Sequence, residues 1–317
     1  MRQLDPSANR DTVLVTGAAG RFSRLVVQML HRRYEVVAVD KRPMSGLPKD
    51  VTHHRTDLRL RLVDELFRKH AFRAVVHLGI AHNPRSDDEA YRFNVVGTRR
   101  LLDLVSKHKV SKLVALTSAN IYGPHPDNSH FLTEEAPLLG ADSFADIRDL
   151  VSIDQLVTSF LYREPAVETV LLRPVHIVGP RVKNAPSNFL RLQRPLVLAG
   201  FDPMVQFVHE EDVARAISKA LAPGVRGVFN LTGPGVAPLS RVLALLGRKP
   251  VSLPGPVFRW GLGQAFRARI TSFPAPELRH IQFNCVVDGS LARRVLGFEP
   301  EWSMVETIRS VLDRTAQ

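Results

Sequence analysis

An α/β fold with a doubly wound parallel sheet follows from two features of this chain. Short strands that are apolar throughout alternate with amphipathic helices up to about Pro180, and the first strand runs into a glycine-containing loop that opens a helix. Strands without polar alternation are buried on both faces, which requires a parallel sheet covered by helices on each side. The right-handed crossover rule then makes the sheet doubly wound.

The elements read in order. Thr12 to Thr16 is a β-branched run that enters the loop Gly17-Ala18-Ala19-Gly20, and Phe22, Leu25, Val26 and Met29 recur behind it at helical spacing. Glu35 to Val39 forms a second strand ending on Asp40, and a third short one precedes Asp57. Ala74 to Leu78 makes the fourth, and Ala90, Phe93, Gly97, Leu101 and Leu104 mark one face of a single long helix. Lys112 to Leu116 is the fifth strand and Glu168 to Leu172 the sixth. Beyond Pro180, prolines from Pro186 to Pro276 punctuate shorter segments, the pattern of a smaller lobe packed over the carboxyl edge of the sheet. The expected division is a dinucleotide-binding unit over residues 1–180 and, over 181–317, mostly a substrate-binding lobe with some segments returning to the sheet.

With 44% hydrophobic and 23% charged residues, the chain has the composition of an ordinary soluble globular protein. A lone cysteine, Cys285, excludes an internal disulfide and fits a reducing compartment. Residues 1–12 are polar with no apolar core, so no secretory signal is expected, and no apolar run is long enough to span a bilayer. The expected location is the cytoplasm. The formal charge of +12 attracts polyanions in general, but the basic residues are spread along the chain and carry no nucleic-acid-binding motif. No nucleic-acid partner is expected.

The Thr16–Ser23 segment has the strand–loop–helix context of a dinucleotide fingerprint. Gly17 permits the tight turn, and Gly20 lets backbone approach a pyrophosphate that the helix N-terminus stabilises. Ala19, Arg21 and Phe22 complete the loop, while Ser23 stands where a third glycine is usual. Asp40, about twenty residues on, can accept hydrogen bonds from both adenosine ribose hydroxyls and would repel a 2′-phosphate. Lys41 and Arg42 follow it and can instead attract that phosphate; the ribose–carboxylate logic favours NAD over NADP. Asp57 either meets the adenine amino group or caps a helix over Leu58 to Phe67.

These residues resemble the extended short-chain dehydrogenase/reductase family, which includes NAD-dependent epimerases and dehydratases. The likeness continues through Val76-His77-Leu78-Gly79-Ile80-Ala81, Asn94-Val95-Val96-Gly97-Thr98 and Thr117-Ser118 to Tyr122-Gly123. It extends over Leu132 to Pro137, Leu172-Arg173-Pro174 to Gly179-Pro180, Phe207 to Ala214 and Leu296 to Pro300. The resemblance implies a Rossmann-type doubly wound sheet with a smaller C-terminal substrate lobe, and NAD contacts at Leu58, Leu78, Gly79, Ile80, Asn94, Arg148 and Pro174. It also implies a homodimer seam along Ala90–Val105 and the helix after Arg148.

In that family a tyrosine moves a proton to or from a substrate hydroxyl, a lysine lowers its pKa, and a serine or threonine holds the hydroxyl. Ser118 matches the serine; its other reading is a backbone bond at the strand end. Phe144 falls in the tyrosine slot and has no proton to give. Arg148 falls in the lysine slot, where its guanidinium keeps the charge and can bond the nicotinamide ribose. Tyr122 is the nearest tyrosine, but the family uses it for packing. Asp146 and Asp142 carry carboxyls in the same stretch, with helix capping or solvent exposure as their other reading. The expectation is an NAD-binding oxidoreductase or epimerase with a non-standard active site acting on a hydroxyl or carbonyl substrate. The alternative is a protein that binds NAD(H) without turnover and regulates a partner.

The family's two substrate-diphosphate contacts, an asparagine and an arginine, fall here on His176 and Val205, so a UDP-sugar is disfavoured as substrate. The basic aromatic stretch Pro254–Arg269 suggests a lobe helix burying its aromatics, or an element facing an apolar substrate or an anionic membrane surface. No metal site is expected.

Overall fold

The computed structural model describes residues 10–80, 87–142, 145–258 and 281–313, together with Gly261, Gln264 and Arg279. Its first half alternates strand and helix: β1 (Thr12–Thr16), α1 (Arg21–Leu30), β2 (Glu35–Asp40), β3 (Val51–Arg55), α2 (Arg61–Lys69) and β4 (Phe72–His77). There follow α3 (Asp87–Tyr91), α4 (Gly97–Lys107), β5 (Lys112–Leu116), α5 (Ala145–Arg163) and β6 (Glu168–Pro174). The later elements are β7 (His176–Val178), α6 (Ala185–Arg191), β8 (Leu196–Leu198), β9 (Met204–Val205), β10 (Phe207–His209) and α7 (Glu210–Ala220). β11 (Gly227–Leu231), β12 (Ala237–Pro238), α8 (Leu239–Leu245) and β13 (Val251–Leu253) precede the terminal helices Ser290–Leu296 and Met304–Arg309.

Seven strands form one sheet in the order β11-β6-β5-β4-β1-β2-β3, and every pairing is parallel. The order reverses between β1 and β4, the crevice where doubly wound sheets bind ligands. Alternate residues of β1 serve opposite cores. Val13 and Val15 pack with Val26, Val27 and Leu30 of α1 and with Val213 and Ile217 of α7. Leu14 packs on the other face with Leu66 of α2, Leu101 of α4 and Ile153, Val157 and Phe160 of α5. Fully burying such a side chain contributes about 1.5–3 kcal/mol, so these two layers hold the sheet. A third cluster, including Leu190, Phe207, Leu239, Val242 and Ile308, forms the lobe core.

The six strands read from the sequence are all present, and β11 adds a seventh from beyond Pro180. A buried lysine helps place it. The Lys112 ammonium reaches Glu168 at 3.1 Å and the carbonyls of Ala222 and Val225 at 2.7 and 2.6 Å, pinning the turn before β11 against β5 and β6.

The long helix expected over Ala90–Val105 is interrupted. Arg92–Val96 form a π-turn between α3 and α4, which turns Asn94 into the interior at 1% exposure. Alternation of apolar residues does not report a one-residue widening of this kind; π-turns of this sort are frequent at functional sites. In α1 the fully buried face is Ser23, Val26, Val27 and Leu30, while Phe22, Leu25 and Met29 pack at its margin. No helix of the described residues is long and apolar enough to cross a membrane.

Candidate cofactor and active site

The loop after β1 is built for close approach. Gly17 has φ +68°, and a Cβ there would stand 2.4 Å from Gly79 Cα, so the loop and the end of β4 touch backbone to backbone. The Leu78 amide donates to the Thr16 carbonyl at 3.2 Å and the Ile80 amide to the Leu78 carbonyl at 3.0 Å, which folds Gly79 into that contact. Gly20 starts α1 without a side-chain cap, leaving the first helical N–H groups to face a ligand. Arg21 is exposed beside them, and Phe22 is half-buried. Gly17→Ala is expected to lose dinucleotide binding by more than about tenfold, because both the left-handed φ and the backbone contact forbid a methyl group. Fluorescence titration with NADH checks this, with the melting temperature as control.

Asp40 belongs to the same unit. Its Oδ2 accepts the Ala19 amide at 3.0 Å, and Arg42 donates its amide at 2.8 Å and its guanidinium at 3.1 and 3.0 Å. Burial works against the charge, but the Arg42 and Ala19 hydrogen bonds outweigh it and hold the carboxyl below its usual range. Lys41 lies over the Phe93 ring at 4.4 Å. The two cations following Asp40 therefore both have partners inside the protein.

Asp57 does not cap α2. Leu60 holds that position, and Asp57 instead closes a turn onto the Arg59 amide at 2.9 Å and pairs with the Arg59 guanidinium at 2.7 Å. The helix starts at Arg61, three residues later than the apolar run Leu58 onward suggested. Leu58 commits its side chain to the core at 4% exposure.

At the end of β5, Ser118 caps a short 3₁₀ turn over Ala119–Tyr122, its Oγ accepting the Asn120 amide at 3.2 Å. The hydroxyl proton stays available to donate, so capping and substrate contact are compatible. Behind it lies a buried network that the sequence did not disclose as a unit. Arg173 forks onto Asp154 at 2.9 and 2.6 Å, and Thr117 Oγ1 donates to the same carboxylate at 3.0 Å. Arg173 also donates to the Tyr122 hydroxyl at 2.8 Å and the Glu134 carbonyl at 2.8 Å, and Tyr122 donates to Asn230 at 2.8 Å. Burial pushes the Tyr122 phenol up to about 12. Its hydroxyl is thereby committed to Asn230 and Arg173 within the network. The one available signal was charge in apolar surroundings: Arg173 within an apolar strand and Asp154 between Ile153 and Leu156 on a buried helix face.

Arg148 sits exposed in the second turn of α5, its carbonyl accepting Ser152 Oγ at 3.0 Å. Phe144 lies outside the described residues, as do the side chains of Asp142 and Asp146. The neighbour of Arg148, Asp149, is buried at 6% exposure and accepts the Asn94 side-chain amide at 2.8 Å. Sequence reasoning passed over it. Cys285 places its thiol 3.8 Å from the Ala119 carbonyl, and burial pushes it up to about 12, so it supplies no thiolate.

Pro174 ends β6 and is buried. His176 lies on β7, opposite Phe207 of β10, with ring centroids 6.0 Å apart. Desolvation pulls its pKa down to about 4, so at neutral pH the ring is uncharged. Val205 is in β9, paired with Ala237. Nearby, the fully buried Glu210 carboxylate accepts the Arg181 and Val182 amides at 3.2 and 3.1 Å and the Arg181 guanidinium at 2.9 Å. A groove of about 540 Å³, lined by His125, Asn128, Phe131, Thr133, Glu135 and Leu139 among others, opens in the loop beyond Gly123. Most of the stretch Pro254–Arg269 lies outside the described residues. Among the described residues no cluster of His, Cys, Asp or Glu could hold a metal ion.

Buried histidines are expected to weaken the fold in acid. Desolvation takes His77 and His209 down to about 4, from an ordinary value of 6.5, and His209 stacks on Trp302 at 3.7 Å. Between those values the unfolded chain binds protons that the folded one does not, so stability falls as pH drops from about 6.5 to 4, by up to about 1.4 kcal/mol per pH unit for each ring. Urea midpoints measured across that window should fall with pH, and His209→Gln should flatten the slope.

Three comparisons with known proteins bear on the site. The model of the NAD dependent epimerase/dehydratase family matches residues 13–232, more than half of the chain. An uncharacterized protein of Mycobacterium bovis is 29% identical over 312 residues, covering 93% of this chain and 81% of the relative. Among solved structures, the UDP-glucose 4-epimerase of Thermotoga maritima with UDP-glucose superposes with a TM-score of 0.75 at 20% identity, covering 95% of this chain and 97% of that one. The Bordetella bronchiseptica enzyme WbmG in complex with NAD gives 0.76 at 20% identity, covering 98% and 95%. At that identity the structural likeness is one of fold.

Proposed function

From the premise that the chain belongs to the NAD dependent epimerase/dehydratase family, we propose that it is an NAD-dependent oxidoreductase or epimerase with an altered proton-transfer site. The observation that carries the reading is the tie between Asp40 and the Ala19 amide, which fixes a ribose-binding carboxylate onto the pyrophosphate loop. The residues fit the dinucleotide: backbone N–H groups after Gly17 and Gly20 for the pyrophosphate, Asp40 for the adenosine ribose, Arg148 for the second ribose. When bound, NAD supplies the hydride acceptor and donor. The protein's share is to orient a substrate hydroxyl or carbonyl at Ser118 and to exclude water above the buried ends of β4, β5 and β6.

The substrate is proposed as a small hydroxyl- or carbonyl-bearing molecule. The Thermotoga enzyme's structure contains UDP-glucose, but here a neutral His176 and Val205 stand at the positions expected to grip a diphosphate. Asp146 remains a candidate proton carrier next to the Phe144 slot. The second reading, an NAD(H)-binding regulator without turnover, is favoured by one observation: the Tyr122 hydroxyl is already bonded to Arg173 and Asn230 and cannot stand in for the missing phenol.

Titration with NADH and NADPH tests the cofactor reading. NADH should bind at micromolar Kd, about −8 kcal/mol, and more tightly than NADPH. Asp40→Asn should weaken NADH by roughly tenfold or more, as expected for losing charged hydrogen bonds to the ribose. Binding of neither dinucleotide below the millimolar range would remove the enzyme reading.

A further inference from the structure

The Asp40 carboxylate has no acceptor position to spare. An ionised carboxylate takes about four hydrogen bonds, two on each oxygen. Oδ1 accepts the Arg42 amide at 2.8 Å and Arg42 Nε at 3.1 Å. Oδ2 accepts the Ala19 amide at 3.0 Å and a terminal nitrogen of Arg42, also at 3.0 Å. The Ala19 and Arg42 amides are backbone donors, held by the dinucleotide loop and by the turn after β2. The other two donors belong to one guanidinium and fall one on each oxygen. An adenosine ribose also brings two donors, its neighbouring 2′ and 3′ hydroxyls. Asp40 can receive them only at the two positions that the guanidinium holds.

Arg42 is free to leave. Its side chain is 57% exposed against 5% for Asp40, and among the described residues it donates to no other group. The matching pair before α2 is built differently. Arg59 closes on Asp57 in the same Asp-x-Arg pattern, but Glu89 holds its guanidinium from a second side at 2.8 Å. Lys41 is turned onto the Phe93 ring at 4.4 Å. Competition for the Asp40 carboxylate therefore comes from Arg42.

We propose that the Arg42 guanidinium stands in for the adenosine ribose diol on Asp40, so that Arg42 sets how much affinity the site draws from that diol; this rests on the NAD-binding reading above. A ligand that seats its diol must displace the guanidinium. It gains only the difference between two sets of charge-assisted hydrogen bonds. A ligand without the hydroxyls leaves Arg42 on Asp40 and neither loses nor gains there. Arg42 is thus a specificity-determining residue of the adenosine half, and it lowers affinity for the nucleotides that carry an intact diol.

The test titrates the parent and Arg42→Ala with NADH, 5′-AMP and 2′,3′-dideoxy-AMP. Salt at about 0.3 M screens the long-range attraction between the arginine and the phosphates. Arg42→Ala is expected to tighten NADH and AMP about fivefold, the upper range for releasing an ion pair with an exposed partner. The dideoxy nucleotide should bind both proteins equally. A change of the same size for AMP and dideoxy-AMP would mean that Arg42 acts through charge or loop structure, and would overturn the proposal. Unchanged or weaker NADH binding by the variant would overturn it as well. If Arg42→Ala does not fold, the Arg42 Nε–H resonance of the parent decides. It should move when AMP is added and stay when dideoxy-AMP is added; movement with both, or with neither, sinks the inference. If neither protein binds NADH or AMP, the cofactor reading itself is wrong and the inference falls with it. A parent that binds NADH, with no gain in the variant, sinks the inference alone.

Discussion

Replacing Arg173 by methionine is expected to destabilise the protein by about 3–5 kcal/mol, the cost of leaving a buried charge without its partner. Asp154 is fully buried and receives two hydrogen bonds from the Arg173 guanidinium, at 2.9 and 2.6 Å. Removing the guanidinium strands that carboxylate, with only the Thr117 and Thr158 hydroxyls remaining at 3.0 and 3.5 Å. The Tyr122 hydroxyl and the Glu134 carbonyl lose a donor in the same substitution. Urea unfolding with an unchanged slope would measure it. A second substitution, Asp154→Leu, should restore most of the loss, because an apolar pair avoids the desolvation penalty altogether. A loss below about 1 kcal/mol for Arg173→Met would mean that the network is not what joins β5, α5, β6 and β11. The network also bears on the site: Thr117 is anchored by Asp154, and Ser118 is the next residue.

Restoring the family's acid–base pair should give the largest change in activity. Phe144→Tyr with Arg148→Lys is expected to raise hydride transfer by about 10²–10⁴, the usual contribution of a positioned general acid–base group. NADH formation with a panel of nucleotide sugars and secondary alcohols would read it. The expectation is sharpened by Tyr122, whose phenol is held at about 12 by burial and bonded on both sides, so that this tyrosine is not free to compensate. A parent that already turns over, gains nothing from the pair and is slowed by Asp146→Asn would instead carry its proton through a carboxylate. In a parent with no turnover and no gain, the regulatory reading stands.

The sheet was legible because its signals are local. Apolar runs such as Val36 to Val39, the Gly17–Gly20 turn and Asp40 at the strand end each report through residues within one element, and the structure places them as six adjacent parallel strands. Local signals also mark where reading stopped. The widening at Arg92–Val96 changes no apolar spacing, yet it turns Asn94 inward towards Asp149, fifty-five positions away. For Asp57 the sequence left an adenine contact and a helix cap before Leu58 both open; the chain spends one more turn on Arg59 before α2 starts, which removes the cap.

What the sequence by itself determined was the class of fold, the dinucleotide loop and a phenylalanine, Phe144, at the position where the family's tyrosine is expected. Each follows from residue type and short-range spacing, since a phenylalanine or a glycine turn is visible wherever the chain folds. Only the tertiary structure decided which charges are partnered. Arg42 closes on Asp40, Arg173 on Asp154, and Tyr122 reaches Asn230 across 108 residues of chain. Such pairings are set by how helices and strands pack, because a buried polar group must find a partner among whatever the fold brings within hydrogen-bond reach.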